Sequence, residues 1–402
     1  MFGGIVTHPP LRGVRILELG GYVSGPYGTS LLAALGADVV KIERPGTGDD
    51  FRRQQDDQSL YFKQYNAGKR SLALDLKHPA GVRILKDLLP QFDVLLENMR
   101  PGKLSALGLD PQECMARNPD LIYVSVSGFG EGGPLSERPA YDTIGQAFGG
   151  LYSVLGDEDR PQLSGALFGD LVTGLTTGMG ILAALVGRKA GTGGQLVQTS
   201  ILEAVSTMTI DNYTQYLDTG RSSPTRQSRH PQAQNFCVRA SSGQYVAIHL
   251  SSSQKFWRGL ATALGRAELI DDPRFADYDA RTRHYFELTP IVQAEIVKRT
   301  ADDWERILTE NDVPFTQVLD METWSHHPQT EWLELLEPER DGVSLVRPPW
   351  RFNGQRPNRD SRAPRVGEDT IAVVQSVRTP EQIAELADSG VLFVATSETV
   401  GA

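Results

Sequence analysis

Asp170 heads the most informative stretch of the chain, in the run GALFGDLVTGLTTGMGILAALVGRKAGTGGQLVQTSIL. Leu171, Leu175, Met179, Leu182 and Val186 recur there at helical spacing, which predicts a helix with Asp170 just before it. Two chemistries fit that aspartate. Its side chain can cap the first turn, where the helix dipole favours the ionised form. It can also serve as a carboxylate nucleophile: attack on an acyl thioester gives a mixed anhydride, with nearby glycines leaving room for substrate and offering N–H donors to the oxyanion. Gly165 and Gly169 leave space around Asp170, while Gly174 and Gly178, four apart, would let another backbone approach closely. A glycine inside a helix costs about 1 kcal/mol relative to alanine, so three of them require a packing or functional reason. The local pattern leaves both readings of Asp170 open.

A second candidate lies near the start. Val14–Leu19 reads as a buried strand, GGYVSGPYG as a turn, TSLLAALGAD as a helix and Val39–Ile42 as a second strand, a βαβ unit with parallel pairing. Glu43 falls about 20 residues on, where a dinucleotide site keeps its acid. However, Gly20, Gly21, Gly25 and Gly28 do not form G-x-G-x-x-G, so the fingerprint fails. Arg44 is a permanent cation at that strand end and suits a phosphate; as a scaffold residue it would be a surface charge. The adjacent His326 and His327 have no Cys or third His spaced to complete a metal site, so no metal is expected.

The elements that must position these residues alternate. Strands are expected at Ser71–Leu76, Asp93–Leu96 and Leu121–Val126, with a helix at Pro79–Leu89, which predicts an α/β domain with a mostly parallel sheet. We expect its first part to span residues 1–207. Polar, Pro-containing sequence at Gln215–Gln234 reads as linker, with the boundary segment set at 208–224. A smaller α+β domain is expected over 225–330, with a strand at Gln244–His249 and helices at Ser253–Leu264, Arg281–Thr300 and Asp302–Asn311. Residues 331–402, including a helix at Pro380–Ser389, are expected to return to the first domain.

Composition narrows the function classes. The chain has 402 residues, enough for about two or three domains. A formal net charge of −10 argues against nucleic-acid partners, and 40% apolar with 22% charged residues argues for a folded chain. Two cysteines, Cys114 and Cys237, build no disulfide framework and point to a reduced, cytoplasmic setting. MFGGIVTHPPLRG shows no signal peptide, and the apolar stretch Val172–Val186 is shorter than a membrane span and reads as a buried helix.

The chain resembles the family III CoA-transferases, a group that includes formyl-CoA transferase and carnitine CoA-transferase and has α-methylacyl-CoA racemase as a relative. The matching stretches are PLRGVRILELGGYVSGPYGTSLLAALGADVVKIERPGTGDDFR, NAGKRSLALDLKHPAG, DVLLENMRPGKLSALGL, NPDLIYVSVSGFGEGGP, AYDTIGQAFGGL and the glycine-rich segment around Asp170. They occur in the family's order over nearly all of residues 10–205, and PRFADYDARTRH and RAPRVGEDT also look like the family.

The resemblance implies a Rossmann-like large domain taking both chain ends, a small domain, and a homodimer of interlocked rings. It also implies that Asp170 is the nucleophile, passing through an aspartyl anhydride and an aspartyl-CoA thioester. CoA and acyl-CoA are then substrates, with a carboxylic acid acceptor and no tightly bound cofactor. By position it places CoA at Val23, Ser24, Arg44, Leu74, Lys77, Asn98, Met99, Arg100, Tyr141 and Asp142. Each also has an ordinary role open to it: Leu74 and Met99 as core, Arg44, Lys77 and Arg100 as solvated charges, Asn98 as a turn former. Val23 stands where formyl-CoA transferase has glutamine, Ala106 where an arginine is frequent, and the tetraglycine loop is missing, which favours an acyl group larger than formyl or oxalyl. Arg221, Arg226 and Arg229 are candidates to attract the acceptor carboxylate.

A racemase is the alternative. Its branch carries histidine before the aspartate, whereas this chain has Tyr141 before Asp142, a poor general base with an ordinary pKa of about 10. A non-catalytic CoA-binding subunit is a further alternative, disfavoured by the presence of Asp170.

Overall fold

The structure is a computed structural model and describes residues 9–53, 59–157, 159–220, 224–340, 342–359 and 361–395. The chain forms two compact units. One comprises Met1–Leu151, Ser164–Thr209 and Trp332–Ala402, the other Tyr152–Leu163 and Ile210–Glu331.

In the first unit, β1 (Arg15–Leu19), β2 (Asp38–Glu43), β3 (Arg70–Leu74), β4 (Val94–Glu97), β5 (Ile122–Ser127) and β6 (Gln195–Ser200) pair in parallel in the order β3-β2-β1-β4-β5-β6. The strands read as nearly unbroken apolar runs because both faces are covered. Their two-residue alternation sends neighbours to opposite sides. Leu17, Val40, Leu72 and Leu95 pack on one face with Leu85 and Leu88 of the helix Pro79–Leu88. Ile16, Val39, Val94 and Val124 pack on the other with Leu32, Ile181 and Leu185.

In the second unit, β7 (Asn235–Arg239), β8 (Tyr245–His249) and β9 (Phe315–Gln317) form an antiparallel sheet. It is covered by helices carrying Trp257, Leu260, Leu288, Val292 and Trp304. The tail belongs to the first unit: β10 (Leu392–Phe393) pairs antiparallel with β3, Leu392 opposite Leu74.

Several element boundaries differ from expectation. Helix α1 spans Ser24–Ala34 and so absorbs the end of the expected turn. Pro26 sits in its first turn, where a missing N–H removes no intrahelical bond. The expected linker contains the helices Ile210–Thr219 and Arg226–Ala233. A reciprocal Thr225–Ser228 box caps the second despite its polar composition. The expected helix Arg281–Thr300 is two, Tyr278–Arg283 and Tyr285–Ile296, interrupted at His284. Thr300 is not its end; its side chain accepts from the Asp303 N–H and starts the next helix.

Helix α2 (Phe168–Lys189) is long and apolar enough in composition to cross a membrane, yet one of its faces is buried in the first unit. It crosses α1 through glycines. A Cβ on Gly174 would lie 2.7 Å from Tyr27 Cδ1 and 3.0 Å from the Ser24 carbonyl oxygen, whereas one on Gly178 would meet only the Gly28 carbonyl oxygen at 3.7 Å. Gly174→Ala is therefore expected to lower stability by about 1–3 kcal/mol through overpacking. Gly178→Ala should be neutral or gain up to about 1 kcal/mol in helix propensity. Paired chemical-denaturation curves check the opposite signs.

Candidate active site

The strand order reverses between β1 and β4, because β1 continues to β2 on one side and β4 to β5 on the other. In open α/β sheets the crevice beyond the strand ends at such a point is the usual ligand site. Here a cleft of about 180 Å³ opens there, lined by Gly21, Tyr22 and Ser24 after β1, Asn98–Pro101 after β4, Ser127 and Gly128 after β5, and by Tyr141 and Asp170.

Asn98 ties two of these strand ends together. Its Oδ1 accepts from the Gly21 N–H at 2.9 Å, and its Nδ2 donates to the Gly21 carbonyl at 2.9 Å and to Ser24 Oγ at 3.2 Å. The β1 turn is also held from beneath. Buried Glu18 accepts from Lys41 and Lys69, each at 2.8 Å. Lys69 also donates to the Pro26 carbonyl at 2.9 Å, and Lys41 to the Gly20 carbonyl at 2.5 Å.

Asp170 is not the helix cap. The helix begins at Phe168 with Leu167 in the cap position, so Asp170 is the third residue of the first turn. Asp142 fills the capping role: its Oδ1 accepts the Asp170 N–H at 3.1 Å. Asp142 begins the short helix Asp142–Phe148, and its Oδ2 accepts from buried Gln146 Nε2 at 2.6 Å. Gln146 also donates to the Ala166 carbonyl and accepts from Ser164 Oγ, which fixes the turn delivering Asp170. Gly169 makes the approach feasible, since a Cβ there would come within 3.1 Å of both Asp142 and Ile201.

The Asp170 carboxylate has no hydrogen-bond donor among the described residues. Burial, reinforced by the nearby Asp142 charge, pushes its pKa up to about 7. Tyr65 is raised to about 12 by burial, by Tyr27 and by the Asp170 charge. Buried Glu97 is raised to about 7 by desolvation, although Ser125 Oγ and the Met99 N–H hydrogen-bond to it.

The expected CoA residues separate into groups. Ser24, Asn98, Met99, Arg100 and Tyr141 line the cleft with Asp170. Val23 is buried at the start of α1, and Asp142 is buried behind Asp170. Leu74 is core, and Lys77 is exposed in the turn after β3. Arg44 is exposed and ion-pairs with Asp50 rather than lining the cleft. Glu43, in the dinucleotide-acid position, is buried and engaged by Arg52 at 2.7 Å and Ser71 Oγ at 2.6 Å. Arg226 is bidentate with Asp157 in the second unit, Arg229 is exposed on the same helix, and Arg221 lies outside the described residues. His327 Nδ1 accepts from the Gln329 N–H, and no group of three metal-ligating side chains occurs among the described residues. Sequence reading missed Arg138, an exposed cation on the cleft wall, and Gln146. Gln146 lies four residues after Asp142, the helical spacing that lets the two side chains meet.

Comparison with known proteins places the chain in a family. Residues 11–370 match the profile of CoA-transferase family III. The chain is 36% identical over 311 residues to the succinyl-CoA–D-citramalate CoA-transferase of Chloroflexus aurantiacus, covering 76% of this chain and 77% of that protein. It is 32% identical over 393 residues to the succinate–glutarate CoA-transferase of Agrobacterium fabrum, covering 94% and 98%. Among solved structures, a CaiB/BaiF family protein from Brucella suis superposes with a TM-score of 0.82 at 31% identity, covering 92% of this chain and all of that one.

Proposed function

The chain belongs to CoA-transferase family III, and on that premise we propose that it moves CoA from an acyl-CoA to a carboxylic acid through Asp170. The observation that carries this reading is a part-buried carboxylate without hydrogen-bond donors among the described residues, facing a cleft at the sheet's switch point. Hydrogen bonds would stabilise the charge and blunt its nucleophilicity; desolvation does the reverse.

Asp170 Oδ attacks the thioester carbon, the C–S bond breaks and CoA leaves as thiolate. The thiolate then attacks the aspartyl carbonyl of the anhydride, freeing the donor acid and leaving an aspartyl-CoA thioester. The acceptor carboxylate attacks that thioester, releasing thiolate, which takes the new acyl group and regenerates Asp170. The orphan N–H groups at the first turn of α2 suit the oxyanions formed at each step. Arg100 and Arg138, exposed at the cleft and without carboxylate partners among the described residues, suit the CoA diphosphate. Arg44 and Lys77 lie further out for the remaining phosphate, with Val23, Leu74 and Met99 as apolar support. The cycle itself calls for no tightly bound cofactor. The resemblance further supports an interlocked homodimer, and the free Cys114 and Cys237 suit the cytoplasm.

A CoA-exchange assay across a screen of donors and acids tests this reading through its pH dependence. Because only ionised Asp170 attacks, kcat/KM for the acyl-CoA is expected to fall about tenfold per pH unit below about pH 7. Glu97 titrates in the same range, so Glu97→Gln distinguishes the two. The limb survives that change if Asp170 carries it, and disappears if Glu97 does.

A further inference from the structure

Two non-glycine residues that share one aromatic neighbour adopt left-handed backbone, Tyr22, which lines the cleft, at φ +61° and Arg53 at φ +54°. This conformation is uncommon for bulky side chains and clusters where function holds it in place. Both flank one buried ring. Phe51 lies 5.8 Å from the Tyr22 ring and 5.4 Å from the Arg53 guanidinium carbon, centroid distances in each case. A single carboxylate sets the pair up: Asp49 Oδ1 accepts from the Tyr22 N–H at 3.2 Å and the Phe51 N–H at 2.9 Å.

The guanidinium of Arg53 also sits 4.2 Å from the Tyr61 ring centroid. Its contacts are therefore ring faces. Arg53 is exposed, and no carboxylate pairs with it among the described residues. A guanidinium whose neighbours are aromatic rings and not acceptors keeps N–H donors available, and those donors can take a carboxylate through two parallel bonds. Phe51 connects it to the cleft, because its ring packs on Tyr22, which lines the cleft with Asp170, and on Tyr65 at 6.1 Å.

We propose that Arg53 is a second carboxylate subsite, so that the acid substrate is a dicarboxylate with a short apolar spacer. One carboxylate reacts at Asp170, the spacer runs along the exposed Tyr22 ring, and the distal carboxylate meets Arg53. This inference rests on the acyl-transfer reading for the position of the reacting carboxylate.

Isothermal titration of the full-length, CoA-loaded protein with succinate and with butyrate tests it without requiring turnover. The wild type is expected to bind succinate at least about tenfold more tightly, Arg53→Gln to erase that preference, and Arg53→Lys to retain part of it. Equal affinities in the wild type, or a preference that survives Arg53→Gln, would overturn the assignment. So would weaker CoA binding by Arg53→Gln with the acid preference intact, which would place a CoA phosphate there. Failure of the acyl-transfer reading would show separately, as absence of CoA exchange in the activity assay.

Discussion

Asp170→Ala is expected to lower CoA transfer by at least about a thousandfold, because in the proposed cycle the Asp170 carboxylate bonds to both substrates in turn. Asp170→Asn should be as inactive, since an amide forms neither anhydride nor thioester under these conditions. The asparagine variant carries a second expectation. The folded protein holds the Asp170 carboxyl at about 7 against an ordinary value of 3.8. Folding therefore favours the protonated form. The resulting stability cost is absent below the ordinary value, grows as pH rises and is complete above about 7. Asp170→Asn removes both the desolvated charge and its repulsion from Asp142. Its melting temperature should exceed that of the wild type at pH near 8, with the gap closing near pH 4. Activity lost together with stability gained is the signature of a strained catalytic group. A purely structural Asp170 would give the opposite stability change.

The largest stability effect is expected at Glu18. Burial works to raise its carboxyl, but Lys41 and Lys69 outweigh burial and hold it at about 2. Glu18→Gln would leave the two ammonium groups facing each other without the anion between them, although Lys41 would keep its ion pair with Asp49 at 2.9 Å. Breaking a buried pair from one side costs about 3–5 kcal/mol. Urea denaturation should show a loss of that size. Lys69→Met should cost less, since Glu18 retains Lys41 and the methionine fills the volume with apolar atoms. In the wild type the carboxylate contribution is present above its ordinary pKa of 4.5 and is lost as pH falls towards 2. The same network carries the Gly20–Pro26 turn, so partly folded Glu18 variants should also bind CoA weakly.

Much of the fold was legible because its signals are local. Val14–Leu19 and Leu121–Val126 are apolar runs bounded by turn residues, and the strand–helix alternation dictates a parallel sheet. Asp170 stood out through its glycine surroundings. Its environment was not legible, because Asp142 reaches the Asp170 N–H from 28 positions away through the packing of two helices, with Gln146 holding Asp142 from behind. The N-cap reading failed for a local reason: the helix starts two residues earlier, at Phe168, with Leu167 in the cap position and its first turn capped from a distance by Asp142. Arg138 gave no periodic signal, lying in an irregular segment before Tyr141. Polar composition at 215–234 concealed helices, because Ile210–Thr219 buries none of its residues and so lacks the apolar face that marks a packed helix. At Glu43 the failed glycine fingerprint argued against a dinucleotide contact, and Arg52 and Ser71 do take up its hydrogen-bonding capacity.

The most direct test is peptide mass spectrometry after incubation with an acyl-CoA and hydroxylamine, run beside proton exchange in deuterated water. An aspartyl hydroxamate at Asp170, dependent on the acyl-CoA and absent from Asp170→Ala, is the expected result. An unmodified Asp170 together with deuterium incorporated at the acyl α-carbon and no CoA exchange would contradict it, and would assign the chain to racemase chemistry.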